Sequence, residues 1–281
     1  MEISHTLLTL KEEGMDVRML WGDHEVGLKA LTSDPIELSE EGHLLVQNWF
    51  FAQVTTTMKE MENWYDTMHG PDSVTPTTGE QGWIAAKQYN DKYYDDCDRR
   101  QLLIARRLCT GNGPVARLFA SLEAVTMQDD LLYMHALPNE YWTRLLYEGA
   151  RQQGVMRANE RFHQLLNDPP MLHKMAFGEM QYTKEGMGDP SQPVIRPTEA
   201  SILWSRFNAH ASLAPGVGEI LSRKGWAGMV RGHDPQSDGH TAHDVNGFVV
   251  INADLALQIG KKRGYTRISR DGRVMGWTGS E

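Results

Sequence analysis

Only two of the 281 residues are cysteine, Cys97 and Cys109, and they do not form a Cys-x-x-Cys pair. That scarcity excludes a disulfide-stapled scaffold and predicts a reducing, cytoplasmic compartment. Long apolar runs are also missing, and no stretch approaches the roughly 18–20 residues that a membrane helix needs. Met1 is not followed by a basic and then apolar segment, so no secretory signal is expected. Positive charge is in deficit, with 28 Lys+Arg against 37 Asp+Glu and a net charge of −9. Sequence-independent nucleic-acid binding needs a basic face, so that class is set aside. The glycine-rich stretch Thr110-Gly111-Asn112-Gly113-Pro114 lacks the Gly-Lys-Ser/Thr ending of a phosphate loop. Repeats and low-complexity tracts are absent.

What is present is a globular composition, 40% hydrophobic and 23% charged, in a chain long enough to bury a proper core. Ile3, Leu7 and Leu10 share a helical stripe that Gly14 ends, which predicts a helix over residues 2–13. Val17–Trp21 reads as a short strand that stops at Gly22-Asp23-His24-Glu25. Residues 39–172 are mostly helical in pattern, with a polar loop at Gly70–Gly79. Within this region Trp49, Trp64, Trp83 and Trp142 stand at core spacing. Further strands are predicted at Asp130–Met134, Gly228–Arg231 and Gly247–Ala253, and a helix at Gly218–Lys224. Residues 181–198 carry Gly186, Gly188, Pro190, Pro193 and Pro197 and read as a loop or lid. Tyr265–Ser269 and Arg273–Trp277 flank Asp271-Gly272, a strong hairpin signal. The expected fold class is α/β, one domain over 1–281 with a large helical insertion.

Three of these strands run into histidine: Trp21 into Asp23-His24, Met134 into His135, and Arg231 into Gly232-His233. Loops at one edge of an α/β sheet converge on a common crevice, and functional groups collect there. A single strand-terminal histidine is unremarkable. Three, with a carboxylate beside one of them, point to a site for a cation that accepts imidazole and carboxylate ligands, such as Zn²⁺ or Mn²⁺.

These motifs carry a family resemblance. Trp21-Gly22-Asp23-His24-Glu25 resembles the Gly-Asn-His-Glu signature of the calcineurin-like metallophosphoesterases, in the serine/threonine protein phosphatase branch. Tyr133-Met134-His135 stands where that family has a strand and His-Gly-Gly, and Arg231-Gly232-His233 matches its Arg-Gly-His. Leu203-Trp204-Ser205-Arg206 resembles the Trp-x-Arg of bacterial members. Tyr93-Tyr94-Asp95-Asp96-Cys97-Asp98-Arg99-Arg100 is similar to the family's helical stretch between two of these signatures.

The resemblance implies a β-sandwich flanked by helices that hydrolyses phosphoesters with divalent metal ions (Mn, Fe or Zn). By the same likeness, Asp23, His135 and His233 are metal ligands, His24 protonates the leaving oxygen, and Arg206 grips phosphoryl oxygens. The implied partner is a phosphorylated substrate, a phosphoprotein or a nucleotide, with no nucleic acid and no membrane.

Two family signatures, Gly-Asp-x-His-Gly and Gly-Asp-x-x-Asp-Arg-Gly, have no counterpart ahead of Gly22. They supply the second metal's ligands. Asp23 stands in place of the family's Asn, and Ala136-Leu137 replace its two glycines. The leading expectation is an N-terminally incomplete chain of a two-metal phosphatase, because losing the opening strands would expose a sheet edge. The alternatives are a single metal held by Asp23, His135 and His233, and a non-catalytic phosphatase-fold module that binds a partner. His240 and His243, in an Asp- and Gly-containing stretch, read as solvated, and the two cysteines as idle thiols.

Overall fold

The computed structural model describes residues 2–34, 48–90, 99–177, 197–205, 216–233, 241–245, 247–253, 263–268 and 274–279. The chain begins with helix α1 (Glu2–Glu12), the short strand β1 (Met19–Leu20) and helix α2 (Asp23–Thr32). Helices α3 (Asn48–His69), α4 (Thr78–Asn90), α5 (Arg99–Cys109) and α6 (Pro114–Ser121) follow. Strands β2 (Leu122–Glu123), β3 (Val125–Gln128) and β4 (Leu131–Met134) precede α7 (Glu140–Tyr147), α8 (Arg151–Leu166) and α9 (Pro169–Phe177). A 3₁₀ turn (Thr198–Ala200) leads into α10 (Ser201–Trp204), then α11 (Val217–Arg223) and β5 (Gly228–Arg231). The C-terminal strands are β6 (Thr241–Val245), β7 (Phe248–Asn252), β8 (Arg263–Ile268) and β9 (Val274–Gly279). The fold class is mixed α/β, as the strand and helix patterns predict.

The chain divides into two compact units. The first comprises residues 1–19, 23–122 and 164–197 and is helical. Its centre is α5, whose Leu102, Leu103, Ile104, Ala105 and Leu108 are buried against α2, α3 and α6. The arginines on the same helix reach outward. Arg100 pairs with Glu62 and Asp66 of α3, Arg107 with Glu80 at 2.8 Å, and Arg106 with Asp34 at 2.9 Å. Local chemistry sets the helix ends. Gly14 takes φ +89° just after α1, a conformation that costs a residue with a Cβ. Thr77 and Glu80 form a capping box at α4: Thr77 N–H donates to Glu80 at 2.8 Å and Glu80 N–H to Thr77 Oγ1 at 3.3 Å.

The second unit comprises residues 20–22, 123–163 and 198–281. It holds a five-stranded mixed sheet in the order β3-β4-β5-β7-β6. The three central strands β4, β5 and β7 are parallel, and β3 and β6 flank them antiparallel. Leu132, Met134, Met229, Phe248, Val250 and Ile251 are buried along these strands, as nearly continuous apolar runs in a parallel sheet should be. Trp142 of α7 and Phe162 of α8 pack with ring centroids 6.0 Å apart, and Trp21 lies 6.2 Å from the same Phe162. Asn139 caps α7 by accepting from Trp142 N–H at 3.3 Å. Strands β8 and β9 pair antiparallel, in register from Arg263 opposite Gly279 to Ile268 opposite Val274. The expected Asp271-Gly272 turn between them lies outside the described residues.

Strands β2 and β3 stand inside the stretch read as mostly helical, and two further elements differ from the sequence reading. The predicted strand over 17–21 narrows to two residues, and Asp23 starts a helix at once. The stretch read as solvated loop is in part strand β6, which pairs with β7 at the sheet edge and leaves residues 242–244 exposed. Edge strands tolerate polar side chains on both faces, which is why His243-Asp244 did not look like strand.

Candidate metal centre

The register of the parallel strands places Met134, Arg231 and Asn252 level with one another. The residues that follow them therefore share one edge, the carboxyl end of the sheet. Two backbone bonds knit this edge together: Gly232 N–H donates to His135 O at 3.0 Å, and Ala253 N–H to Arg231 O at 2.8 Å. Arg231 and Asn252 are both 2% exposed. The strand-end argument that selects the histidines also reaches Asn252, a residue that the sequence reading passes over.

His233 takes a left-handed backbone, φ +68°. That conformation costs a residue with a Cβ roughly 1–2 kcal/mol, and such local strain collects at functional sites. From this position His233 Nδ1 lies 3.1 Å from His135 Nε2, with the two rings 4.9 Å apart at 64°. Trp204 and His233 meet edge to face, with centroids 5.8 Å apart and planes at 88°. The segment carrying Trp204 is tied to the chain that follows His135 by three hydrogen bonds. Ala136 N–H donates to Ile202 O at 3.0 Å, Asn139 Nδ2 to Thr198 O at 2.8 Å, and Trp142 Nε1 to Glu199 O at 2.8 Å. Ala136 and Leu137, which replace glycines of the family pattern, are buried.

Asp23 is the residue after Gly22, whose neighbour Trp21 donates its N–H to Glu123 O at 2.9 Å. Asp23 is 6% exposed and sits in the first turn of α2, where the helix dipole favours negative charge. Asp23 and its neighbour His24, which is half-buried, belong to the helical unit, and His135 and His233 to the unit that holds the sheet. Arg206, residues 91–98 and His240 lie outside the described residues. His243 is exposed on β6. Cys109 is buried, and burial pushes its thiol up to about 12, so it is inert as a nucleophile.

No protein-family model matches the chain, and no curated protein matches it. A solved structure of a mutant cold-active protein tyrosine phosphatase is similar over 91% of this chain and 77% of its own. The two share 16% identity at a TM-score of 0.41, too low for an argument about family or reaction. Among the described residues, no helix is long and apolar enough to cross a membrane.

Proposed function

We propose that the chain is a metal-dependent phosphoester hydrolase of the calcineurin-like metallophosphoesterase type, in which Asp23, His135 and His233 hold one divalent cation. The observation that carries this reading is the meeting of two imidazole nitrogens, His135 Nε2 and His233 Nδ1, just past the ends of neighbouring parallel strands. The spacing fits the ion. Two nitrogens each about 2.0–2.1 Å from one cation, at angles of about 90–110°, stand roughly 2.9–3.4 Å apart. The His135 Nε2 to His233 Nδ1 separation is 3.1 Å. The donor set also fits, since imidazole and carboxylate together suit Zn²⁺ and Mn²⁺. When bound, such a cation supplies Lewis acidity toward a phosphoryl oxygen and lowers the pKa of water to about 7.

The chain's own residues then have distinct tasks. Asp23 contributes a negative charge that an Asn in its place would lack, which tightens the hold on a dication. His24 donates a proton to the leaving oxygen. Arg206 offers a planar fork of donors that matches two phosphoryl oxygens. The substrate class is a phosphoprotein or a nucleotide phosphoester.

The test is hydrolysis of an aryl phosphate by the full chain with added Mn²⁺ or Zn²⁺. Metal-dependent turnover that His233→Ala abolishes is the expected result. Absence of turnover with either metal, or turnover unchanged in His233→Ala, refutes the proposal.

A further inference from the structure

We propose that Trp204 is a positioning residue for His233, holding the imidazole so that Nδ1 faces His135 and the cation site. The proposal rests on the metal reading above and extends it to a residue that offers no ligand atom.

An imidazole can turn about its Cβ–Cγ bond, and a quarter turn would swing Nδ1 out of line with His135 Nε2. The backbone does not prevent that turn, because a left-handed φ fixes where the Cβ points but not how the ring lies about it. The Trp204 indole meets the His233 ring at 5.8 Å and 88°, the edge-to-face arrangement that aromatic pairs prefer, and a rotated imidazole loses that perpendicular contact.

Trp204 is itself held in place. It is the last residue of α10, whose Ile202 and Leu203 are each 1% exposed. The segment 198–202 accepts hydrogen bonds from Ala136, Asn139 and Trp142, the residues just after His135. One short stretch of chain therefore carries the first histidine and anchors the residue that orients the second. Groups that orient metal ligands from outside the coordination set commonly change metal affinity 10–100-fold when removed.

Titration with Co²⁺, followed by its visible absorption, tests the proposal on the full chain. Co²⁺ bands report the geometry of the ligands as well as occupancy. Trp204→Leu keeps apolar bulk without an aromatic edge, and it should bind Co²⁺ about tenfold more weakly or worse, with a changed band shape. Trp204→Phe should recover affinity to within about threefold of wild type, because it restores the edge. Far-UV circular dichroism checks that each variant folds. If Trp204→Leu does not fold, Trp204→Met makes the same comparison with a more adaptable side chain. Wild-type affinity and band shape in a folded Leu or Met variant overturn the proposal. Failure of the wild-type chain to bind Co²⁺ at all refutes the metal reading on which it rests.

Discussion

Adding one methyl group at Gly228 tests how closely the strands that present the histidines are packed. Gly228 opens β5, opposite Leu131 on one side and Val249 on the other. A Cβ there would stand 2.3 Å from Val249 O, 3.1 Å from its carbonyl carbon and 3.2 Å from its Cβ. The first two obstacles are backbone atoms. The same residue's N–H bonds to Ala227 O at 3.1 Å, so relief requires β7 to move away from β5. Overpacking of this kind costs about 1–3 kcal/mol, and a clash with backbone belongs at the upper end, about 3 kcal/mol. At roughly 2–4 °C per kcal/mol for a chain of this size, Gly228→Ala should melt roughly 6–12 °C below wild type. Arg231 ends β5 three residues further on and His233 follows two residues after it, so metal affinity should fall as well. Thermal unfolding followed by circular dichroism provides the measurement. A midpoint within about 1 °C of wild type would refute the packing of β5 against β7, and with it the common edge on which the site stands.

Replacing His24 should separate chemistry from metal binding. His24→Ala is expected to lower kcat by about 10²- to 10⁴-fold while leaving metal affinity within about threefold, and a matched loss of metal would reassign it as a ligand. Glu80 predicts a pH dependence in the helical unit. The hydrogen bond from Arg107, aided by Thr77, holds its carboxyl at about 2, below the usual 4.5. A depressed carboxylate stabilises the folded chain above pH 4.5 and loses that contribution as pH falls through about 2. Urea titrations should therefore show the gap between wild type and Glu80→Gln closing over that window; a gap constant across it would contradict the pairing. Cys109, with its thiol pushed up to about 12 by burial, should resist alkylation at pH 8 in a Cys97→Ser background until the chain unfolds. Rapid labelling of the folded variant would show that the interior of α5 is open.

How much of this was legible in the sequence varied with the kind of signal. Strands β4, β5 and β7 could be read because burial wrote an apolar run into each, and helix α1 because its apolar spacing stops at Gly14. The start of α2 could not. A two-residue β1 leaves no periodicity to read, and Asp23 looked like the end of a strand and not the first turn of a helix. Strand β6 escapes a sequence reading because its pairing with β7 supplies the order while Thr241-Ala242-His243-Asp244-Val245 shows no regular apolar alternation. In the candidate site, Asp23, His135 and His233 stand out by type and position, and the structure brings the ring nitrogens of His135 and His233 to 3.1 Å of each other. The contact of Trp204 with His233 joins segments distant in the chain, which no local pattern encodes. The proposed roles of Asp23, His135 and His233 as ligands of one ion remain the claim on which the rest depends.

That claim is tested most directly by counting metal. The purified full chain, dialysed against Zn²⁺ or Mn²⁺ and then against buffer, is analysed for bound metal by mass spectrometry. The wild-type chain should retain one equivalent, and Asp23→Ala, His135→Ala and His233→Ala should each lose it while keeping the wild-type circular dichroism spectrum. No stoichiometric metal in the wild-type chain, or a full equivalent retained by folded His233→Ala, would contradict the account.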